Sequence, residues 1–139
     1  IGEMVHHLDL AIHLLGEVEE ASIFNFDENI QKNRYENILL MMRHQTGAIS
    51  KVEYATKSSA LFDKESISVS TQQASFVIND FKESFSKNYD FAKVSESDKG
   101  VKNMWQLFKK KLADEDKDFF IDLMKQDIYI YRLLEKILG

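Results

Sequence analysis

Four titratable side chains recur every three or four residues near the start of the chain: Glu3, His6, Asp9 and His13. At this spacing they share one face of a helix. Two imidazoles and two carboxylates in a row can act as acids, bases and hydrogen-bond partners near neutral pH. The same residue types also suit an ordinary solvent-facing surface, and the pattern alone favours that simpler interpretation.

The same stretch carries an apolar face that would hold such a helix in place. Met4, Leu8, Ile12 and Leu15 recur at helical spacing. Gly16 follows at the point where a helix needs a left-handed residue to end. The sequence therefore predicts a short helix over residues 1–16, with one side in a core and the titratable stripe beside it.

The residue identities in this stretch also resemble a motif of a known protein family. Gly2-Glu3-x-x-His6 leads into His6-x-x-Asp9 and then Leu14–Gly16. This string resembles the helix that opens the C-terminal half of the glucose–fructose oxidoreductase / inositol dehydrogenase / rhizopine catabolism (Gfo/Idh/MocA) family. Its members are NAD(P)-dependent oxidoreductases that act mostly on sugars, cyclitols and nucleotide sugars. Each has an N-terminal Rossmann domain and a C-terminal α+β domain built on a large open sheet.

The resemblance implies roles for three residues. His6 would be catalytic, as general base or positioning group at the nicotinamide and substrate. Glu3 would be the second catalytic group, because many members carry an Asp at the position of Gly2 and a subset has Gly-Glu there instead. Asp9 would orient its neighbours, a role more structural than catalytic.

Each of these residues also has a simpler interpretation. His6 could be a helix histidine hydrogen-bonded to a neighbour. Glu3 could be a first-turn carboxylate that the helix dipole favours. Asp9 could contact the sheet or cap a neighbouring loop.

The sequence does not predict a metal site on this helix. His6 and His13 lie two turns apart, about 10 Å along the helix axis, which is too far for two ligands of one ion. His6 with Asp9 supplies only two ligands. A metal-dependent site on the first helix is therefore the least favoured of the functional hypotheses.

The dinucleotide would have to be held outside this chain. No G-x-G-x-x-G phosphate-binding loop is present among the five glycines, so residues 1–139 lack that means of binding a dinucleotide. The resemblance also implies a catalytic lysine in an E-K-P motif of the Rossmann half, and a chain without proline cannot contain that motif. NAD or NADP is accordingly expected in the full-length protein and not on this fragment alone.

Composition excludes several other classes. A net charge of −5 without a dominant basic cluster argues against nucleic acid as a partner. The absence of cysteine excludes a disulfide framework and a thiolate site, and it fits a cytoplasmic protein. No apolar run approaches the roughly 20 residues of a membrane span, so no membrane partner is predicted. The chain opens on Ile rather than Met, which suggests an excised domain.

Short alternating segments fill the middle of the chain. Strands are predicted over residues 18–26, 35–44, 48–56, 65–71, 74–78, 81–85 and 88–94, with a polar loop over residues 27–34. The clearest hairpin signal is Gln45-Thr46-Gly47 between two apolar runs. About seven short strands with hairpin-length links predict an antiparallel sheet rather than a βαβ series.

Helical spacing returns towards the end of the chain. Residues 99–112 are predicted to form a helix that places Trp105 and Phe108 in the core and Lys109–Lys111 in solvent. Residues 113–117 interrupt it, residues 119–124 are of uncertain state, and residues 128–138 form a closing helix. The family shares this order, so the resemblance covers the whole chain. It implies an α+β fold with an open, mainly antiparallel sheet and helices packed on one face, as in dihydrodipicolinate reductase-like domains.

The sequence thus favours one domain, residues 1–139, that binds substrate and mediates oligomerisation in a cytoplasmic NAD(P)-dependent oxidoreductase. The expected partners are a sugar-type small molecule, an upstream Rossmann domain of the same protein, and further copies joined through the sheet as a homodimer or tetramer. The fragment alone is expected to be inert. The alternative is a stand-alone, non-catalytic α+β module for binding or assembly.

Overall fold

The computed structural model describes residues 4–26, 37–56, 59, 61, 63–86 and 98–138. The loop predicted over residues 27–34 and the strand predicted over residues 88–94 lie outside the described residues. The chain divides into two compact units, one made of residues 1–58 and 117–139 and the other of residues 59–116. Within the described residues the elements are α1 (Met4–Leu15), β1 (Val18–Asn25), β2 (Asn37–His44), β3 (Ile49–Ala55), β4 (Ser66–Ser70), β5 (Ser75–Asn79), β6 (Glu83–Ser86), α2 (Val101–Ala113) and α3 (Lys117–Leu138).

The first unit is built on an antiparallel sheet of order β1-β2-β3. The register places Ile23 opposite Leu40 and Leu40 opposite Val52. These apolar side chains share one face because alternate residues of a strand point to the same side. The predicted hairpin between β2 and β3 is confirmed, and its turn places Gly47 at a φ of 81°, a left-handed conformation that glycine adopts without strain.

Helices α1 and α3 cover the inner face of this sheet. Met4, Leu8 and Ile12 of α1 are buried against β2 and β3 residues, and Ile130 of α3 joins the same core. Burying each such side chain stabilises the fold by about 1.5–3 kcal/mol. The predicted apolar stripe of the first helix is confirmed here, and both helices of this unit pack on the same face of its sheet.

Helix α3 is longer than the sequence predicted. It runs without interruption over 22 residues and includes the segment 119–124, whose state the sequence left open. Its inward residues continue the predicted spacing: Leu133, Leu134 and Ile137 pack against the core as partly buried side chains. The predicted break before it is also confirmed, because Glu115 has a φ of 52° between α2 and α3.

The second unit contains a three-stranded antiparallel sheet of order β4-β5-β6. The predicted strands at β4 and β5 are confirmed, with Val69 opposite Phe76. The next prediction is wrong at its start, because Asp80 and Phe81 form a turn in which both residues have positive φ. Lys82 donates its backbone N–H to Asn79 across that turn at 2.9 Å. Neither turn residue is Gly or Asn, so the usual signal for such a turn is missing from the sequence.

Helix α2 forms where it was predicted, but it does not bury the side chains assigned to a core. None of its residues is buried. Trp105 is 55% exposed and Phe108 is 39% exposed, so the prediction that these rings are core residues is wrong. Helical spacing of apolar residues identifies a face that can pack, and it does not show that the chain itself covers that face.

The α+β class and the antiparallel pairing are confirmed. The described strands form two three-stranded sheets rather than the one open sheet that was expected. The assignment of residues 1–139 to one domain stays a prediction. Among the described residues, no helix has both the length and the apolar character needed to cross a bilayer.

Candidate functional site

The predicted titratable stripe lies on α1, and its members differ in exposure. His6 and His13 are exposed, whereas Asp9 is half-buried. Glu3, the second predicted catalytic residue, lies outside the described residues. The helix thus presents at least two imidazoles to solvent from the side that does not enter the core.

Burial on the opposite side fixes the direction of these side chains. Met4 and Leu8 have no exposed surface and flank His6 along the sequence. Rotating α1 about its axis would expose these two apolar side chains, at about 1.5–3 kcal/mol each. The face of α1 that carries His6 is therefore turned outward by packing that involves no atom of His6.

A polar bond ties α1 to the closing helix at Asp9. The Nε2 amide of Gln126 donates to Oδ1 of Asp9 at 2.5 Å, between residues 117 positions apart. One turn further along α3, the Tyr129 hydroxyl accepts the backbone N–H of Val18 at 2.7 Å. Asp9 therefore connects two helices, and its role in orienting His6 stays a prediction.

The end of α1 is held by the hairpin between β2 and β3. Three consecutive carbonyls, those of residues 15, 16 and 17, accept hydrogen bonds from three consecutive residues. Thr46 Oγ1 donates to the first at 2.8 Å, His44 Nδ1 to the second at 2.7 Å, and the backbone N–H of Gln45 to the third at 2.9 Å. The last carbonyls of a helix have no partner within it, so this junction satisfies acceptors that would otherwise be unpaired.

His44 is the central residue of this junction. Its side chain is fully buried, with Nδ1 at 2.7 Å from the Gly16 carbonyl and Nε2 at 2.8 Å from Ser50 Oγ. A carbonyl can only accept, so Nδ1 carries the proton. In the neutral ring Nε2 is then the acceptor, and the Ser50 hydroxyl donates to it. His44 thus links α1, β2 and β3 in the core and has no direct access to solvent.

No role was predicted from the sequence for His44 or Gln126. A signal existed for His44, because it continues the alternation of Ile38, Leu40 and Met42 on the buried face of β2. No local signal exists for Gln126, because its partner is distant in sequence and a glutamine on a helix is ordinarily solvent-exposed.

A shallow depression lies on the other face of the first sheet. It is lined by side chains that include Ser22, Met41, Arg43 and Ile49. Arg43 lies 3.2 Å from Glu19 and 3.1 Å from a Glu20 carboxylate oxygen, and all three side chains are at least half exposed. Ion pairs of this kind contribute about 0–1 kcal/mol each. This depression lies opposite α1 across the sheet, so His6 does not line it.

Metal-ligating groups do not converge in the described part of the chain, where no cluster of three or more His, Asp or Glu side chains could hold an ion. No protein-family model, curated protein or solved structure gives a significant match to this chain. The likeness to the Gfo/Idh/MocA family therefore rests on the residues quoted above.

Proposed function

We propose that residues 1–139 form the substrate-binding and oligomerisation part of an NAD(P)-dependent oxidoreductase that acts on a hydroxyl or ketone of a sugar, cyclitol or nucleotide sugar. The observation that carries the proposal is the position of His6. It is exposed on a helix whose opposite side is fully buried, as expected for a general base that must meet a substrate in a fixed orientation.

The proposed chemistry at His6 is removal of a proton. An alcohol carbon releases hydride more readily as its hydroxyl loses a proton, and a neutral imidazole can accept that proton near pH 7. NAD(P), held by a Rossmann domain outside residues 1–139, would supply the hydride acceptor. In the reverse direction the imidazolium of His6 would return the proton to the oxygen of the ketone.

Glu3 and Asp9 complete the proposed site in different ways. Glu3 precedes His6 by three residues in the sequence and is proposed as the second group at the substrate. Asp9 follows His6 by about one turn, and its bond to Gln126 fits a residue that keeps α1 in place beside α3. No metal ion takes part in this proposal.

The outer face of the first sheet is the proposed surface for homodimer or tetramer formation. Phe24, Met41 and Ile49 are exposed there, Ile49 by 71%. Charged residues of both signs lie between these apolar side chains: the basic Arg43 and Lys51, and the acidic Glu20 and Glu53. A mixed surface of this kind suits contact between identical copies, in which each basic group can meet an acidic group of the partner.

The proposal is tested in the intact gene product with His6→Ala. We expect kcat to fall by about 10²-fold or more, because general-base catalysis contributes on that scale. His13→Ala is the matched control, since it removes an exposed imidazole from the same helix and should leave kcat within about twofold. Unchanged kcat in the His6 variant, with the fold verified by circular dichroism, would refute the catalytic role.

A stand-alone, non-catalytic module for binding or assembly is the second candidate. The exposed apolar side chains of the outer sheet face favour it, because they would serve assembly without any redox chemistry. On this hypothesis Ile49→Lys disrupts assembly while His6→Ala changes nothing measurable. Because both candidates place assembly on this face, sedimentation velocity of the Ile49 variant tests only the surface. NAD(P)-linked turnover of the native product and of its His6→Ala variant separates this candidate from the first.

A further inference from the structure

Helix α2 presents an apolar surface that its own unit does not bury. Five side chains share a sector about 100° wide, and all of them are exposed: Val101, Met104, Trp105, Phe108 and Leu112. The helix has 13 residues, which gives it a length of about 20 Å. An apolar sector this exposed on a short helix calls for a contact outside the helix.

The charge of α2 is opposite to that of the chain as a whole. It contains four lysines and no acidic residue, whereas the chain carries a net charge of −5. In angular position around the helix axis, Lys102 and Lys109 neighbour Trp105 at one edge of the apolar sector. Lys111 neighbours Met104 at the other edge. The lysines therefore border the apolar sector on both sides.

We propose that α2 lies flat on a membrane surface that carries anionic phospholipid headgroups. Lysines at the edges of an apolar sector can extend their stems along it and reach headgroup phosphates, while the apolar side chains enter the acyl boundary. Trp105 suits the same depth, because indole has an apolar body and a polar N–H. A helix of this length binds along the surface and does not cross the bilayer.

The charge distribution indicates where the attraction is strongest. Three acidic residues, Asp114 to Asp116, follow the helix directly, and Lys111 already pairs with Asp116 at 2.8 Å. The edge formed by Lys102 and Lys109 is therefore the main contact with headgroups. Each lysine near an anionic surface strengthens binding by about fivefold at moderate salt. This surface contact is independent of the proposed redox function. It differs from the prediction of no membrane partner, and the vesicle experiment below decides between them.

Trp105 allows a direct test, because it is the only tryptophan of the chain. The full chain is titrated with vesicles of phosphatidylcholine alone and with vesicles in which one lipid in three is phosphatidylglycerol. We expect a blue shift of the tryptophan emission and co-sedimentation with the anionic vesicles only. Added salt should weaken the binding by screening the headgroup charge.

Two double variants decide whether the lysine edge is responsible. Lys102→Gln with Lys109→Gln should weaken binding to the anionic vesicles by about 20- to 30-fold, at about fivefold for each lysine. Lys117→Gln with Lys136→Gln removes the same charge from exposed positions of α3 and should leave binding within about threefold. Both double variants retain Trp105 as the reporter.

Four results would overturn the proposal. The first is no blue shift with either vesicle, and the second is equal binding to neutral and anionic vesicles. The third is an equal loss of binding in the two double variants. The fourth is a blue shift that grows with protein concentration without lipid, which would assign the apolar sector of α2 to a second copy of the chain.

Discussion

The buried histidine at the junction of α1 and the hairpin supports a quantitative prediction about stability. His44→Ala removes a fully buried ring together with its bonds to the Gly16 carbonyl and to Ser50. A buried acceptor left without a donor costs about 1–3 kcal/mol. The half-buried Ser50 hydroxyl can turn towards water, so the free-energy cost of losing its bond to His44 should lie at the lower end of that range.

The lost packing adds to the lost hydrogen bonds. Large-to-small substitutions in a core cost about 2–5 kcal/mol, depending on how far the site collapses. Adding about 2–3 kcal/mol for the two lost hydrogen bonds to this packing loss, we expect His44→Ala to lower the free energy of unfolding by about 4–8 kcal/mol. This is a large part of the roughly 5–15 kcal/mol that a domain possesses.

Urea denaturation followed by circular dichroism measures this loss, with the m-value checked for constancy. His44→Phe keeps the ring volume and removes the polar contacts, so it should lose about 2–3 kcal/mol. Ser50→Ala removes only the Nε2 partner and should lose about 1 kcal/mol. His13→Ala removes an exposed imidazole and should change stability by less than about 0.5 kcal/mol.

A loss below about 1 kcal/mol for His44→Ala would contradict the reasoning, because no buried, doubly bonded ring can be removed so cheaply. A double-mutant cycle with Ser50→Ala isolates the coupling between the two side chains. Additive losses in that cycle would show that the bond between Nε2 and the hydroxyl contributes nothing to stability.

Three further predictions concern α1 and the turn after α2. Gly16 has a φ of +87° and a Cβ there would lie at an ordinary 3.5 Å from the nearest side chain, so Gly16→Ala should cost about 1–2 kcal/mol from backbone strain alone, measured by urea denaturation. Leu8→Ala should lose about 3–5 kcal/mol of unfolding free energy by thermal or urea denaturation, whereas Leu14→Ala on the exposed side of the same helix should lose less than about 1 kcal/mol. The hydrogen bond and the charge of Asp116 raise the pKa of Lys111. The pair therefore stabilises the folded state at neutral pH. This stabilisation is lost as the pH rises above the ordinary lysine pKa of about 10.4 and passes through the raised value. Asp116→Asn should lower the pKa of Lys111 in an NMR titration, and an unchanged pKa would contradict this assignment.

Periodicity predicted the elements whose faces are buried within their own unit. The inward residues of α1 and the closing helix recur at helical spacing and do enter the core. The turn at Gly47 was also predictable, because a glycine between two apolar runs is a local signal. These features depend on neighbours within a few residues, and such neighbours are visible in the sequence.

The predictions that proved wrong depend on tertiary contacts and backbone conformations that a single sequence does not reveal. Trp105 and Phe108 have the spacing of core residues, but their burial depends on what covers α2 and not on the helix itself. The turn at Asp80 and Phe81 uses left-handed residues other than glycine, which the sequence pattern does not reveal. The contact between Asp9 and Gln126 in the candidate site could not be predicted either, because it forms only when the first and last helices pack together.

The proposed oxidoreductase function is best tested by an assay of NAD(P)-linked turnover. The native gene product that contains residues 1–139 is assayed with a panel of sugars, cyclitols and nucleotide sugars. We expect NAD(P)H to form with at least one of these alcohols. The rate should fall by about 10²-fold or more in His6→Ala and should be retained in His13→Ala. A native product that folds but gives no NAD(P)-linked turnover with any member of the panel would contradict this function and would favour the non-catalytic module.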